Sequence, residues 1–244
     1  MHDTTHPMVI QHPSPNFGAR RGAVQPDMVV LHYTAIPCAA SLERLCDPQA
    51  EVSAHYLISE TGRIWQLVPE DKRAWHAGAG KWGSVTDVNS HSIGIELVNL
   101  GTHPFAEPQM AALEWLLAGI MQRWAIRPER VIGHSDMAPD RKSDPGPRFD
   151  WHRLARQGLA VWPDVCRADL RGEEGWSAET ILQMGQALRR FGYVMPDNDM
   201  APLHVYHAFC DRFGCGGAEN RGYAIAMARD LAARFPVDRD VPNA

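Results

Sequence analysis

Between Val131 and Pro147 the chain reads Val-Ile-Gly-His-Ser-Asp-Met-Ala-Pro-Asp-Arg-Lys-Ser-Asp-Pro-Gly-Pro. An imidazole, an ammonium group and carboxylates stand among glycines and prolines, directly after an apolar pair. That pattern predicts a short buried strand running into a rigid, irregular loop. Scaffold-held loops of this kind are where site residues concentrate. His134 and Asp144 could not act together from a helix, because ten helical residues separate their side chains by about 15 Å. A loop that folds back can bring both onto one ion. One further imidazole would complete a set of three ligands with an open fourth position, the arrangement of a catalytic zinc site.

A second imidazole stands far upstream. Met28-Val29-Val30-Leu31 is a continuous apolar run, as expected of a strand covered on both faces, and it delivers His32-Tyr33-Thr34 at its end. Between the two segments lies Ser92-Ile93-Gly94-Ile95-Glu96-Leu97-Val98-Asn99. Glu96 interrupts an otherwise apolar strand, and a buried carboxylate without a partner is costly. Its place in a third core strand points it to the same cleft as a general base. The bland reading of a lone histidine in an apolar strand is a hydrogen-bonded core residue, and for Asp144 it is a turn cap before Pro145-Gly146.

Taken together, the segments LHYT, SAHYLI, GRIWQLVP, AWHAG, SIGIELVN and GHSDMAPDRKSDPGP resemble the zinc-dependent N-acetylmuramoyl-L-alanine amidases of the AmpD/AmiD type, in the amidase_2 and peptidoglycan-recognition superfamily. The resemblance covers roughly residues 9 to 160. It implies hydrolysis of the amide between N-acetylmuramic acid, or its 1,6-anhydro form, and the L-alanine of peptidoglycan fragments, in cell-wall recycling or turnover. It implies Zn2+ on His32, His134 and Asp144, with Glu96 as the catalytic carboxylate and Lys142 assisting near the metal. A phage lysozyme-like branch has a catalytic tyrosine just before the histidine of the SAHY-like strand. This chain has Ala54 there, so the base role falls to Glu96. Asp136, the rival carboxylate, is expected to support the loop. Substrate contacts are expected from His55, Trp75 and His76, with core packing as an equal alternative for His55, and stacking on a sugar face from Trp75 or Trp82, with packing under a long loop as the alternative for the tryptophans.

Composition frames these expectations. The chain has 244 residues, is 45% hydrophobic and 22% charged, and carries a net charge of −5. That length holds one large domain and a small one. The acidic balance argues against nucleic acid as the main partner, and no run of 18 apolar residues exists to span a membrane. Five cysteines without C-x-x-C spacing argue against a disulfide framework or a cysteine metal site. The N-terminus lacks the basic and apolar regions of a signal peptide. The expected location is therefore cytoplasmic, with a periplasmic or outer-membrane location as the alternative had a leader been trimmed. The expected partners are muropeptides; oligomeric state is not legible.

Helix and strand signals alternate up to about residue 157. A helix is expected around 41 to 46, a hairpin of 54–58 and 64–68 around Glu60-Thr61-Gly62-Arg63, and an irregular stretch from Trp75 to Gly83. Pro108 opens a helix with Met110, Leu113, Leu117, Ile120, Met121 and Trp124 on one stripe. The fold class is α/β, a mixed central sheet with helices on both faces. After Pro163-Asp164 the composition shifts, dividing an amidase domain, 1–164, from a helical peptidoglycan-binding-like domain, 165–244. Its helices are expected near 178–191, 202–213 and 219–234, with Ile181, Leu188 and Phe191, then Leu203, Tyr206, Cys210 and Phe213, then Tyr223, Met227, Leu231 and Phe235 turned inward. Gly192 and Gly214 stand at C-terminal cap positions. Leu188-Arg189-Arg190-Phe191-Gly192-Tyr193 with Ala208-Phe209-Cys210-Asp211-Arg212-Phe213 resembles the binding domain of AmiD-like amidases, with Cys210 where glutamine is usual.

Two other classes stay open on the sequence: a non-catalytic peptidoglycan-recognition protein, disfavoured by the presence of Asp144, and a zinc peptidase acting on the stem peptide.

Overall fold

The computed structural model describes residues 8–166, 177–217 and 221–238. His2 and His6 and the expected helix start at residue 219 lie outside them. By contacts the chain divides into two compact units, Met1–Gly78 with Asp87–Arg127, and Ala79–Thr86 with Pro128–Ala244. The compositional change at Pro163-Asp164 thus falls inside the second unit.

The first unit contains β1 (Val9–Gln11), β2 (Phe17–Ala19), β3 (Met28–Tyr33), α1 (Cys38–Cys46), β4 (Tyr56–Ile58), β5 (Ile64–Gln66), β6 (Lys72–Ala74), α2 (Val88–His91), β7 (Ser92–Leu97) and α3 (Glu107–Trp124). Its main strands run in the order β1-β5-β4-β7-β3, and β2 pairs with β6 apart from them. β4 and β5 are antiparallel, the hairpin expected from the Gly62 turn, while β1–β5, β4–β7 and β3–β7 are parallel. The sheet is therefore mixed. Met28, Val29, Val30 and Leu31 are all fully buried, as their unbroken apolar run requires.

Helices cover both faces of this sheet. Successive strand residues face opposite ways. Leu57 packs with Leu45 and Leu42 of α1, whereas its neighbour Tyr56 lines a cavity with Leu116 and Gly119 of α3. On that second side Glu70 accepts hydrogen bonds from Tyr56, Arg123 and Trp124. Burial pushes the Glu70 carboxyl up, but these three donors outweigh it and leave it below the ordinary range. Pro108 opens α3 as expected. Its buried face is Met110, Leu113, Leu117 and Ile120, widened by Gln109, Ala112 and Leu116, with Met121 and Trp124 half-buried at its end.

The second unit contains β8 (Val131–Gly133), α4 (His134–Met137), α5 (Trp151–Arg156), α6 (Ala178–Phe191), α7 (Ala201–Phe213) and α8 (Arg221–Arg234). The three C-terminal helices form where their periodicity places them. Ser177 caps α6 by accepting from the Thr180 amide, and Gly192 and Gly214 end α6 and α7 with positive φ. Two inward assignments are corrected: Ile181 and Leu203 are 43% and 41% exposed. The buried face of α6 begins a turn later, at Met184, and continues through Ala187, Leu188 and Phe191. On α7 it runs through Ala201, Val205, Ala208 and Phe209 to Arg212, and Leu203 lies to one side of it. Trp82 is fully buried, packed edge-on against Phe191 and Tyr193. It is a core residue and cannot stack on a sugar. Cys210 and Cys215 are buried thiols with their sulfurs 3.0 Å apart. No helix among the described residues is long and apolar enough to cross a membrane.

Candidate metal centre

In the first unit, β3 and β7 run in parallel register and His32 stands opposite Glu96. Register partners on neighbouring strands share a face of the sheet, so the imidazole and the carboxylate sit side by side. His32 is 1% exposed. Its Nε2 lies 3.0 Å from Nδ1 of His76, and Nε2 of His76 lies 3.2 Å from the Ser92 hydroxyl. Asn89 anchors the backbone beneath, its Oδ1 accepting from the amides of both His76 and Ala77. Gly94 makes the approach of His76 possible. A Cβ there would sit 2.4 Å from Cγ of the imidazole, so the glycine in Ser-Ile-Gly-Ile-Glu is a seat for the ring.

His55 does not reach substrate as the sequence suggested. It is wholly buried. Its Nδ1 accepts from the Gly94 amide, which puts the ring hydrogen on Nε2, donating to the Lys72 carbonyl at 3.0 Å. Arg20 Nη2 lies 3.3 Å from the same nitrogen. Both atoms carry hydrogen, and Arg20 instead donates to the carbonyls of Glu70, Ser90 and Ser92. Burial drives the His55 pKa down to about 3 and that of Arg20 to about 10. His55 is a neutral core residue joining β7 to the start of β6. Trp75 is half-buried, its amide held by the Ser53 hydroxyl.

In the second unit, β8 delivers His134 into the single turn of α4, 3% exposed. The loop then folds back as its prolines and glycines predict. The Ser135 amide donates to the Asp144 carbonyl at 2.9 Å, and Nδ1 of His134 lies 3.0 Å from Oδ2 of Asp144. Gly133 permits this closure, since a Cβ there would meet Pro145 Cδ at 2.7 Å; the Asp144-Pro145 peptide is cis. Lys142 is exposed, two residues before Asp144, with its amide bonded to the Ala138 carbonyl.

Asp136 supports this loop, as expected. Its Oδ2 accepts from the Gly133 amide at 2.7 Å and from Nη1 of Arg212 at 2.6 Å, and its Oδ1 accepts from the Tyr193 hydroxyl. Arg212 also donates to the Val131 carbonyl and lies 4.4 Å over the Trp151 ring. Burial first, then the Asp136 charge, pushes the Tyr193 phenol well up. Sequence reading missed both Arg212 and Tyr193 as partners of the loop. One signal was present: Arg212 falls on the apolar stripe of α7, where a charge needs a buried partner.

His32 in the first unit, and His134 with Asp144 in the second, are each buried and each carry a donor atom of a kind that binds metal ions. Two imidazoles and a carboxylate are the donor set that zinc accepts in hydrolytic sites.

The N-acetylmuramoyl-L-alanine amidase model, Amidase_2, matches residues 22–147. AmiD of Escherichia coli K12, an N-acetylmuramoyl-L-alanine amidase, is 42% identical over 189 residues, which cover 70% of this chain and 68% of AmiD. The 1,6-anhydro-N-acetylmuramyl-L-alanine amidase AmpD of the same organism is 36% identical over 160 residues, 58% of this chain and 87% of AmpD. Among solved structures, E. coli AmiD in complex with anhydro-N-acetylmuramic acid-L-Ala-D-gamma-Glu-L-Lys aligns at a TM-score of 0.77 and 35% identity, covering 90% of this chain and 98% of that one. AmpDh3 of Pseudomonas aeruginosa with an anhydromuramic pentapeptide aligns at 0.77 and 30% identity, covering 97% and 99%. The chain belongs to the N-acetylmuramoyl-L-alanine amidase family.

Proposed function

We propose that this protein hydrolyses the amide bond between the lactyl group of N-acetylmuramic acid, including its 1,6-anhydro form, and the L-alanine of soluble peptidoglycan fragments. The observation that carries the reading is the match to the N-acetylmuramoyl-L-alanine amidase family over residues 22–147, which contain the buried donors His32, His134 and Asp144, two imidazoles and a carboxylate of the type that holds zinc with an open position. Zinc, when bound, supplies a Lewis acid that polarises the scissile carbonyl and makes water acidic enough to attack it near neutral pH. Glu96, opposite His32 on the same sheet face, accepts the proton of the attacking water at its carboxylate. It then returns that proton to the leaving amine of L-alanine. Lys142, exposed and two residues before Asp144, carries an ammonium suited to stabilise the negative charge that develops on the carbonyl oxygen. Trp75, half-buried beside His76, forms part of the substrate wall. AmiD and AmpDh3 have been seen with anhydro-muramoyl peptides, which supports fragments as this chain's substrates. The helices after residue 165 form a peptidoglycan-binding-like module.

Incubation with purified muropeptides and mass spectrometry of the products tests this. An amidase releases an intact peptide beginning with L-alanine together with the free muramoyl sugar. Cleavage inside the stem would make it a peptidase, and binding without products a recognition protein. Glu96→Gln keeps the shape but removes the base; zinc should stay bound while kcat falls by about 10²- to 10⁴-fold. Loss of zinc from this variant would place Glu96 among the ligands.

A further inference from the structure

The last turn of α7 and the two residues after it read Cys210-Asp211-Arg212-Phe213-Gly214-Cys215. Gly214 takes the left-handed conformation, with φ at 66°. The amides of Gly214 and Cys215 both donate to the Cys210 carbonyl, at 2.8 and 3.3 Å. A helix that ends this way turns the chain back over its own last turn. It brings the residue after the glycine against the residue five positions earlier, a contact that apolar side chains usually fill. Here both positions are cysteine, and their sulfurs lie 3.0 Å apart. The pair is set by a helix end and not by the spacing of a C-x-x-C motif. Both thiols are buried, Cys210 at 6% exposure and Cys215 at 0%.

We propose that Cys210 and Cys215 are an oxidisable dithiol, which closes to a disulfide and staples the C-terminal end of α7. An S–S bond is about 2.05 Å long, so the two sulfurs have only about 1 Å left to close. The oxidant is a low-molecular-weight disulfide of the glutathione type, RSSR. The two cysteines are not equivalent towards it. The Cys215 S–H donates to Sγ of Cys210. That bond, helped by one from the Tyr206 hydroxyl, holds the Cys210 thiol below its ordinary pKa against the effect of burial. The same bond, and burial, push the Cys215 thiol up. Cys210 is therefore the attacking thiolate. It breaks the S–S bond of RSSR, forms a mixed disulfide and expels the first RS−. Cys215 then gives up its proton and displaces the second RS− from Cys210. Two electrons pass to RSSR, and the two thiol protons end on two RSH. Burial restricts the exchange to moments when the helix end is open, and it shields the bond once closed. The ring so formed encloses Arg212, whose guanidinium holds Asp136 at 2.6 Å. The staple thus fixes the backbone from which the His134 loop is anchored, and it depends on no metal.

Peptide mapping tests it. Full-length protein is equilibrated with mixtures of reduced and oxidised glutathione, in mild urea that opens helix ends, then quenched with acid, alkylated and cut with trypsin. Cleavage after Arg212 leaves Cys210 in peptide 191–212 and Cys215 in peptide 213–221, so the bond appears as these two peptides joined until reduced. The joined species should dominate in the oxidising mixtures, and glutathione on the exposed Cys166 shows that the reagent was active. A six-residue ring is short, and disulfide stabilisation grows with loop length. The thermal midpoint of the oxidised protein should therefore rise by only about 2–8 °C. Cys215→Ser should abolish both the joined peptides and the oxidant-dependent rise, and the mapping of the parent stands whether or not that variant folds. Free thiols at Cys210 and Cys215 in the most oxidising mixture overturn the proposal. So does either cysteine joined to a different one, or the expected pair formed without any rise in midpoint.

Discussion

His32 and His134 are both buried imidazoles at strand ends, yet the chain secures them by different means. Behind His32 stands His76, 3.0 Å from its Nε2, and behind His76 the Ser92 hydroxyl, which donates to the Val88 carbonyl. Behind the His134 loop stands a buried ion pair. Asp136 is 1% exposed and is gripped by Arg212 and Tyr193, 76 and 57 residues further along the chain. A loop rich in proline and glycine has few ladder bonds of its own, so a charged anchor from packed helices compensates. The C-terminal helices therefore serve the His134 loop as a scaffold.

The contrast predicts unequal costs. Arg212→Ala leaves the Asp136 carboxylate buried without its cation, and breaking a buried pair in this way costs about 3–5 kcal/mol. Urea unfolding should show a loss of that size. Its counterpart in the first unit, His76→Leu, removes hydrogen bonds worth about 1 kcal/mol each and should cost much less stability. Equal losses in the two variants would erase the distinction. So would an Arg212→Ala protein as stable as the parent.

A pH titration sharpens the same comparison inside the first unit. His55 is held at a pKa of about 3 by burial, against an unfolded value of about 6.5. The folded value is the lower one, so the unfolded chain takes up the proton first and stability falls as pH drops. The contribution is complete above about pH 6.5 and is lost towards pH 3, at up to about 1.4 kcal/mol per unit. Between pH 6.5 and 5 that amounts to about 2 kcal/mol. Glu70, held below the ordinary carboxylate range, titrates under this window and does not confuse it. His55→Asn should be less stable than the parent at neutral pH, with a gap that narrows by about 2 kcal/mol at pH 5. A constant gap would mean that His55 takes up no differential proton.

The difference between the two regions also explains what the sequence disclosed. His32, Glu96, His134 and Asp144 were legible because each breaks a local pattern, a polar residue at the end of an apolar run or inside a loop of turn formers. The hairpin around Gly62, α3 behind Pro108 and the caps at Gly192 and Gly214 were legible for the same reason, since their signals span a few residues. The Asp136–Arg212–Tyr193 cluster was hidden because its members meet only after helices pack, and no local rule pairs positions 76 apart. For His55 the sequence left substrate contact and core packing open, because a histidine beside a strand looks the same from sequence whether its nitrogens meet solvent or backbone. Arg212 could have been flagged, as a charge on the apolar stripe of α7.

Ile181 and Leu203 are the reverse case, apolar residues that the periodicity placed inside and the structure leaves out. A helix buries a stripe, and residues at its margins are apolar without being core. Each is more than two-fifths exposed, so little apolar area leaves water at either position. Leu203→Gln and Ile181→Gln should both fall within about 0.5 kcal/mol of the parent, as surface changes do. Leu188, on the same α6 helix as Ile181 but 3% exposed, provides the control, since Leu188→Ala opens a cavity and should cost about 2–5 kcal/mol. A loss above 1 kcal/mol at Leu203 would show that this edge of α7 is covered in solution, and measuring it at two protein concentrations would tell a second copy from the chain's own residues.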